Sequence, residues 1–175
     1  MKAKRAGEIM IPLDQYPHIP HWFTLRQAMA ALRASQIEVQ GRVSLPRAVL
    51  VFNKAYELLG IVRRRDILRG LQPGFLAGDA ADHGRRLFDV KVDPNLSEFS
   101  SDRMIREIRS RAERPVSDVM LPITTTVQSD DHILRIIHEM IENDLSLIPV
   151  LREGRVVGVV RSVDLLNEIA EIVLS

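Results

Sequence analysis

One strand-to-helix corner occurs twice in this chain, and the duplication restricts the fold more than any other feature. Gly158-Val159-Val160-Arg161-Ser162-Val163-Asp164-Leu165-Leu166 reads as a buried strand that turns within three residues into an amphipathic helix. A weaker copy stands roughly a hundred residues earlier, as Gly60-Ile61-Val62-Arg63-Arg64-Arg65-Asp66-Ile67-Leu68. A second match, Glu8-Ile9-Met10-Ile11-Pro12 against Asp118-Val119-Met120-Leu121-Pro122, opens each copy. A repeat of this kind is one supersecondary unit that buries its apolar face only against its partner.

Periodicity fills in both units. Ser129 and Asp130 are candidate N-caps ahead of Ile133, Ile136, Ile137, Met140 and Ile141, whose spacing lines one helical face. Leu25, Ala28, Met29 and Leu32 do the same in the first copy. Leu147 to Val150 and Val156 to Val160 then read as a hairpin closed by Arg152 to Arg155, matched by Ala48 to Phe52 and Leu58 to Val62 around a turn at Asn53 to Glu57. Alignment leaves about ten extra residues in the first copy between Ile37 and Arg47, expected as an extended loop or lengthened strand. The last helix is expected to bury Leu165, Leu166, Ile169, Ile172 and Val173, with Asp164, Asn167, Glu168 and Glu171 on other faces. Its counterpart is expected to stop at Gly70 and Pro73. The fold class is therefore α/β (α+β): two stacked β-α-β-β-α units, residues 1–71 and 115–175, joined by a connector at 72–114. In that connector Pro73-Gly74 and Gly78 to Gly84, with Asp79, Asp82 and His83, read as loop. Ser101 or Asp102 then caps a helix striped by Met104, Ile105, Ile108 and Ala112, so the insertion is expected to pack on something.

Composition removes several functional classes. The chain has 175 residues, 46% of them hydrophobic and 27% charged, which is ordinary for a soluble globular protein. A net charge of +1 gives no broad field for a polyanion, so nucleic acid is a minor reading. The absence of cysteine excludes disulfides, thiolate catalysis and sulfur-ligated zinc. No run approaches the ~18 apolar residues of a membrane span, and Pro12 and Asp14 interrupt any apolar stretch behind the basic N-terminus. A cytoplasmic protein is expected.

Catalytic patterns are missing as well. Ser146, Ser162 and Thr124 to Thr126 have no base placed beside them, there is no Gly-x-Ser-x-Gly elbow, and no phosphate-cradling Gly-rich loop occurs. His18 and His21 flank prolines in an extended segment and need not share a face; His132 and His138, six apart, do not converge on one ion. No metal site and no enzyme activity are expected. Trp22 and Phe23 serve as an apolar anchor or a partner contact. Arg63, Arg64 and Arg65 read as a solvated face, as phosphate capture or as an RNA contact. Asp164 and Asp66 stand where a carboxylate stabilises a helix N-terminus by ~0.3–1 kcal/mol.

These motifs resemble tandem cystathionine-β-synthase-type (CBS) domains, the pair called a Bateman module. The resemblance rests on Val116 to Met120, on Ile148-Pro149-Val150 and on Gly158 to Leu166. It implies a pair of stacked repeats that dimerises and binds adenine nucleotides between them. In such proteins a hydroxyl residue three positions after the Gly and an Asp six after it contact phosphate and ribose. Here the Asp is kept, as Asp66 and Asp164, while Arg63 and Arg161 replace the hydroxyl. The resemblance implies one cleft made by Met120, Ile148, Pro149, Val160, Arg161 and Asp164, and another by Met10, Val51, Val62, Arg63 and Asp66. The expected function is a non-catalytic sensor that needs no cofactor, takes AMP, ADP, ATP or S-adenosylmethionine as ligand, forms a homodimer and signals to an unidentified protein partner. The alternatives are a ligand-free interaction module whose clefts are plugged by side chains, or a weak binder of RNA or polyphosphate.

Overall fold

A computed structural model describes residues 4–74 and 101–175. The expected loop at 78–84, with Asp79, Asp82 and His83, lies outside the described residues.

Two four-stranded sheets form the frame, each built from both halves of the chain. In the first, strands β2 (His18–Pro20), β5 (Ala48–Phe52) and β6 (Leu58–Arg63) are completed by β7 (Leu121–Pro122) from the second half. In the other, β8 (Val127–Gln128), β9 (Leu147–Arg152) and β10 (Arg155–Arg161) are completed by β1 (Ile11–Pro12) from the first half. Ile11 pairs with Val159 and Pro12 with Gly158, while Leu121 pairs with Ile61 and Pro122 with Gly60. The matched segments that open the two repeats are therefore exchanged edge strands. Their prolines lack an N–H and are tolerated because each strand has only one neighbour.

Helices α2 (Leu25–Ala34) and α3 (Arg64–Leu71) cover the first sheet, and α5 (Ile133–Glu142) and α6 (Ser162–Leu174) the second. The short helix α1 (Ala6–Ile9) travels with β1 and packs Ala6 and Ile9 into the core of the second half; Val116 packs reciprocally into the core of the first. A third cluster, Ile11, Tyr16, Ile37, Leu50, Phe52, Leu147 and Val159, is shared by both sheets and glues them together. Burial of this kind is worth about 25 cal/mol per Å² of apolar surface removed from water.

Several local expectations are revised. Residues 37–47 contain a hairpin, β3 (Ile37–Val39) and β4 (Arg42–Ser44), turned by Gln40 and Gly41 at φ 51° and 75°. Both turn residues lie in the left-handed region, as a two-residue hairpin requires. Helix α3 ends at Leu71, just ahead of Pro73 as expected, but it includes Gly70, where a Cβ would press on Leu25 and Val119, so this glycine permits close helix packing. The N-cap of α5 is His132, since Asp131 turns its carboxylate back to the Gln128 N–H at 2.7 Å. Helix α6 buries Asp164, Leu165 and Glu168 and exposes Leu166, Ile172 and Val173, so part of its expected inner face is the outer one. The connector helix α4 (Ser101–Arg111) fully buries none of its residues but does pack, as expected: it touches α3, Glu107 accepts the Gly74 N–H at 3.1 Å, and just beyond it the carbonyls of Ala112 and Arg114 accept the Arg26 and Leu25 N–H groups that open α2. No described helix is long and apolar enough to cross a membrane.

Candidate functional site

Both duplicated corners place an Arg at the end of a strand and an Asp in the first turn of the helix that follows. The three-residue spacing folds the Arg back over the Asp. Arg161 donates from Nε and an Nη to the two oxygens of Asp164, at 2.6 and 2.7 Å. Arg63 makes the same fork to Asp66, at 2.9 and 3.0 Å. Such two-pronged, charge-assisted contacts are among the stronger hydrogen bonds available to a protein.

The two forks differ in their surroundings. Asp66 is fully buried and also accepts the Arg63 backbone N–H at 2.9 Å, with Arg69 at 3.5 Å from its other oxygen. Burial pushes its carboxyl up, but the hydrogen bonds and charge of Arg63, with the charge of Arg69, prevail and hold it below the usual range. Asp164 is 6% exposed, and its partner Arg161 also donates to Ser44 Oγ of the β3–β4 hairpin at 2.9 Å. The hairpin is thereby drawn over the second corner. Gln40 adds a bond to Glu168 at 2.8 Å, and Lys4, from the N-terminal arm, donates to the same carboxylate at 2.6 Å. That hydrogen bond raises the Lys4 ammonium above its ordinary value against the opposing effect of burial.

Two cavities meet at Arg161. The smaller, of about 360 Å³, lies under the hairpin between Met10, Val39 and Val43 on one side and Asp164 and Glu168 on the other. The larger, of about 630 Å³, opens between the two sheets and is lined by Tyr16, Ser44, Arg47, Arg63, Arg64, Arg65, Ser146, Arg161 and Ser162, among others. Burial pushes the Tyr16 hydroxyl up to about 12, against the nearby charge of Arg161 and a hydrogen bond from the Ala48 N–H. It is a neutral phenol throughout the working range of a protein.

The strand exchange redistributes the predicted residues. The resemblance groups Met10 with Asp66 and Met120 with Asp164; the structure sets Met10 beside Gly158 and Asp164, and Met120 beside Gly60. Val51, Val62, Ile148 and Val160 are fully buried beneath the corners, and Pro149 is buried in β9, so they support the floor. Tyr16, the hairpin and Glu168 were not foreseen. Glu168 carries a signal, lying one turn after Asp164 on the same helical face; no local pattern marks Tyr16. His18 lies against the Tyr16 carbonyl at 2.9 Å, and His21 stacks edge-on against the exposed Trp22.

A family model described as "CBS domain" matches residues 116–171. No curated protein matches the sequence at a significant level. Among solved structures, the CBS domain of a CBS-domain-containing membrane protein from Sphaerobacter thermophilus superposes with a TM-score of 0.64 at 19% identity, over 94% of this chain and 87% of that one. CBSX2 in complex with AMP gives 0.61 at 14%, over 97% and 98%. The cytosolic domain of the Mg2+ channel MgtE in complex with ATP gives 0.59 at 19%, over 94% of this chain and 48% of that one. The family match is thus confined to residues 116–171, and the chain as a whole has the fold of a tandem CBS pair.

Proposed function

We propose that the chain is a non-catalytic regulatory module that binds an adenine nucleotide at the Asp164 corner and passes on the resulting change in shape. One observation carries the reading: Arg161 borders both cavities while gripping Asp164. A nucleotide can replace both ends of that fork at once. Its phosphate takes the guanidinium, and its ribose hydroxyls donate to the released carboxylate, with the base in the recess between Met10, Val39 and Val43. Because Arg161 also holds Ser44, the exchange loosens or re-seats the hairpin, which gives ligand binding a differential effect on two arrangements. The AMP and ATP complexes of CBSX2 and of the MgtE cytosolic domain are consistent with this class of ligand.

Melting with AMP, ATP, S-adenosylmethionine and adenosine tests the proposal. At a hundredfold excess over its dissociation constant a true ligand adds ~2.7 kcal/mol, roughly 5–11 °C for a chain of this size. AMP is expected to shift the transition and adenosine, which cannot engage Arg161, is not. No shift with any of the four would remove the sensor reading. The Asp66 corner supports the rival reading of a side-chain plug, because its fully buried carboxylate is already engaged by Arg63 and Arg69.

A homodimer belongs to the same proposal. Val163, Leu166 and Val173 form an exposed apolar stripe on α6, with Leu166 65% and Val173 71% exposed, and Leu68 occupies on α3 the place of Leu166. Leu166→Glu is expected to convert a sedimenting dimer to monomer without unfolding it. A wild-type protein that sediments as a monomer at tens of micromolar would remove the dimer.

A further inference from the structure

The larger cleft carries more positive charge than its own carboxylates neutralise. Five arginines line it, and no acidic residue is among the lining that the described residues provide. Two of the five, Arg63 and Arg161, are matched by Asp66 and Asp164. Arg64 donates to the neutral carbonyl of Pro46 at 2.9 Å, and no described residue pairs with the side chains of Arg47 or Arg65. Three cationic charges therefore face one cavity without a counter-charge among the described residues. Tyr16 adds a polar group: it is 2% exposed and lines the same cleft.

The charge is one-sided. The registers pairing Ala48 with Arg63 and Leu147 with Arg161 make Arg47 and Ser146 equivalent, and likewise Arg64 with Ser162 and Arg65 with Val163. One wall is basic where the other is hydroxylic and apolar. The helix N-termini at the cleft do not supply the attraction, because the Arg64 N–H is taken by the Arg47 carbonyl and the Ser162 N–H by the Ser146 carbonyl. The guanidinium groups and the Tyr16 hydroxyl remain as donors. Like charges held in one concavity repel each other and attract multivalent anions, and guanidinium matches phosphate in shape as well as charge.

We infer that this cleft binds an oligophosphate chain of about three phosphates, held by Arg47, Arg64, Arg65 and the Tyr16 hydroxyl. The site recognises the chain whether it is free or carried by a nucleoside. A monophosphate reaching Arg161 from the smaller recess satisfies the nucleotide proposal alone; only a longer chain spans the basic wall. The inference deepens that proposal when the chain belongs to a nucleotide, yet it stands independently because the two use different residues.

Titration calorimetry of the full chain with inorganic triphosphate, ATP and AMP, at fixed ionic strength, tests it. Triphosphate is expected to bind at least tenfold tighter than monovalent phosphate, and ATP tighter than AMP. In Arg47→Ala/Arg65→Ala protein both triphosphate and ATP should lose at least tenfold in affinity while AMP is unchanged. Removing two side chains without partners should leave the melting point within about 2 °C, so loss of binding is not loss of fold. Triphosphate that binds no better than phosphate, or a double variant that binds triphosphate as well as wild type, overturns the inference. If the nucleotide proposal alone fails, AMP shows no heat while triphosphate still binds through Arg65. If the inference alone fails, AMP and ATP bind equally and ignore both arginines.

Discussion

Gly158→Ala is expected to destabilise the protein by about 3 kcal/mol, near the upper end of overpacking costs, and to lower its melting point by roughly 6–12 °C. A Cβ on Gly158 would collide with the Ile11 carbonyl oxygen across the exchanged pair, and Met10 Sδ stands 2.9 Å away. The methionine can swing aside, but the backbone oxygen cannot move without β1 moving. Gly60 meets the Leu121 carbonyl in the same way, with Met120 beside it, so Gly60→Ala should behave alike. The decisive reading is local: amide exchange at Ile11 and Val159 should accelerate in Gly158→Ala more than elsewhere. Gly154, at φ 77° with open space around it, supplies the control. Alanine there costs about 1–2 kcal/mol of backbone strain and should leave β1 protected. A Gly158→Ala protein that melts within a degree of wild type with β1 amides still slow would refute the account.

Arg161→Ala should cost about 3–5 kcal/mol, the range for leaving one member of a buried ion pair alone. The side chain of Arg161 is 11% exposed and that of Asp164 6%, so the pair is largely withdrawn from water. Arg63→Ala should cost less, about 1–2 kcal/mol, because Asp66 keeps the Arg63 backbone N–H and Arg69. Replacing both partners, as Arg161→Met/Asp164→Leu, should recover most of the lost stability, since apolar groups of similar size often substitute for a buried pair at little cost. That double variant should also fail to respond to AMP. Denaturant unfolding of the three proteins separates the cases. An Arg161→Ala cost below 1 kcal/mol would mean that the fork holds nothing in place.

The repeat, the two hairpin-paired strands in each half and the strand-to-helix corners were legible because each depends on local pattern: alternation, 3.6-residue spacing and turn residues such as Glu153-Gly154. The partner of each opening segment was not legible. Ile11-Pro12 and Leu121-Pro122 look alike, so nothing local says that each joins the other's sheet, and the methionines were grouped with the wrong aspartates as a result. The same limit applies to the glycine before each corner. Its spacing from the Asp suggested a ligand role, whereas its contacts assign it to the close approach of an exchanged strand. Helix α6 misled for another reason. Apolar residues occupy two of its faces, and periodicity alone does not say which one meets the sheet. The Arg at each corner was visible, and so was its ambiguity, but the intramolecular fork needed coordinates.

The exchanged edges also bear on how the chain comes into being. During synthesis the first half leaves the ribosome with its sheet lacking β7, so the outer edge of β6 stays unpaired until Pro122 has emerged. Helix α1 and β1 precede every other described element, yet they have no place to dock until β10 exists. Unpaired edges are templates for pairing with other molecules, and contacts this distant in sequence form slowly. The α1–β1 segment thus precedes its partner strand in the chain and waits long to be secured. Docking it completes the second sheet and ties the first half of the chain to the second.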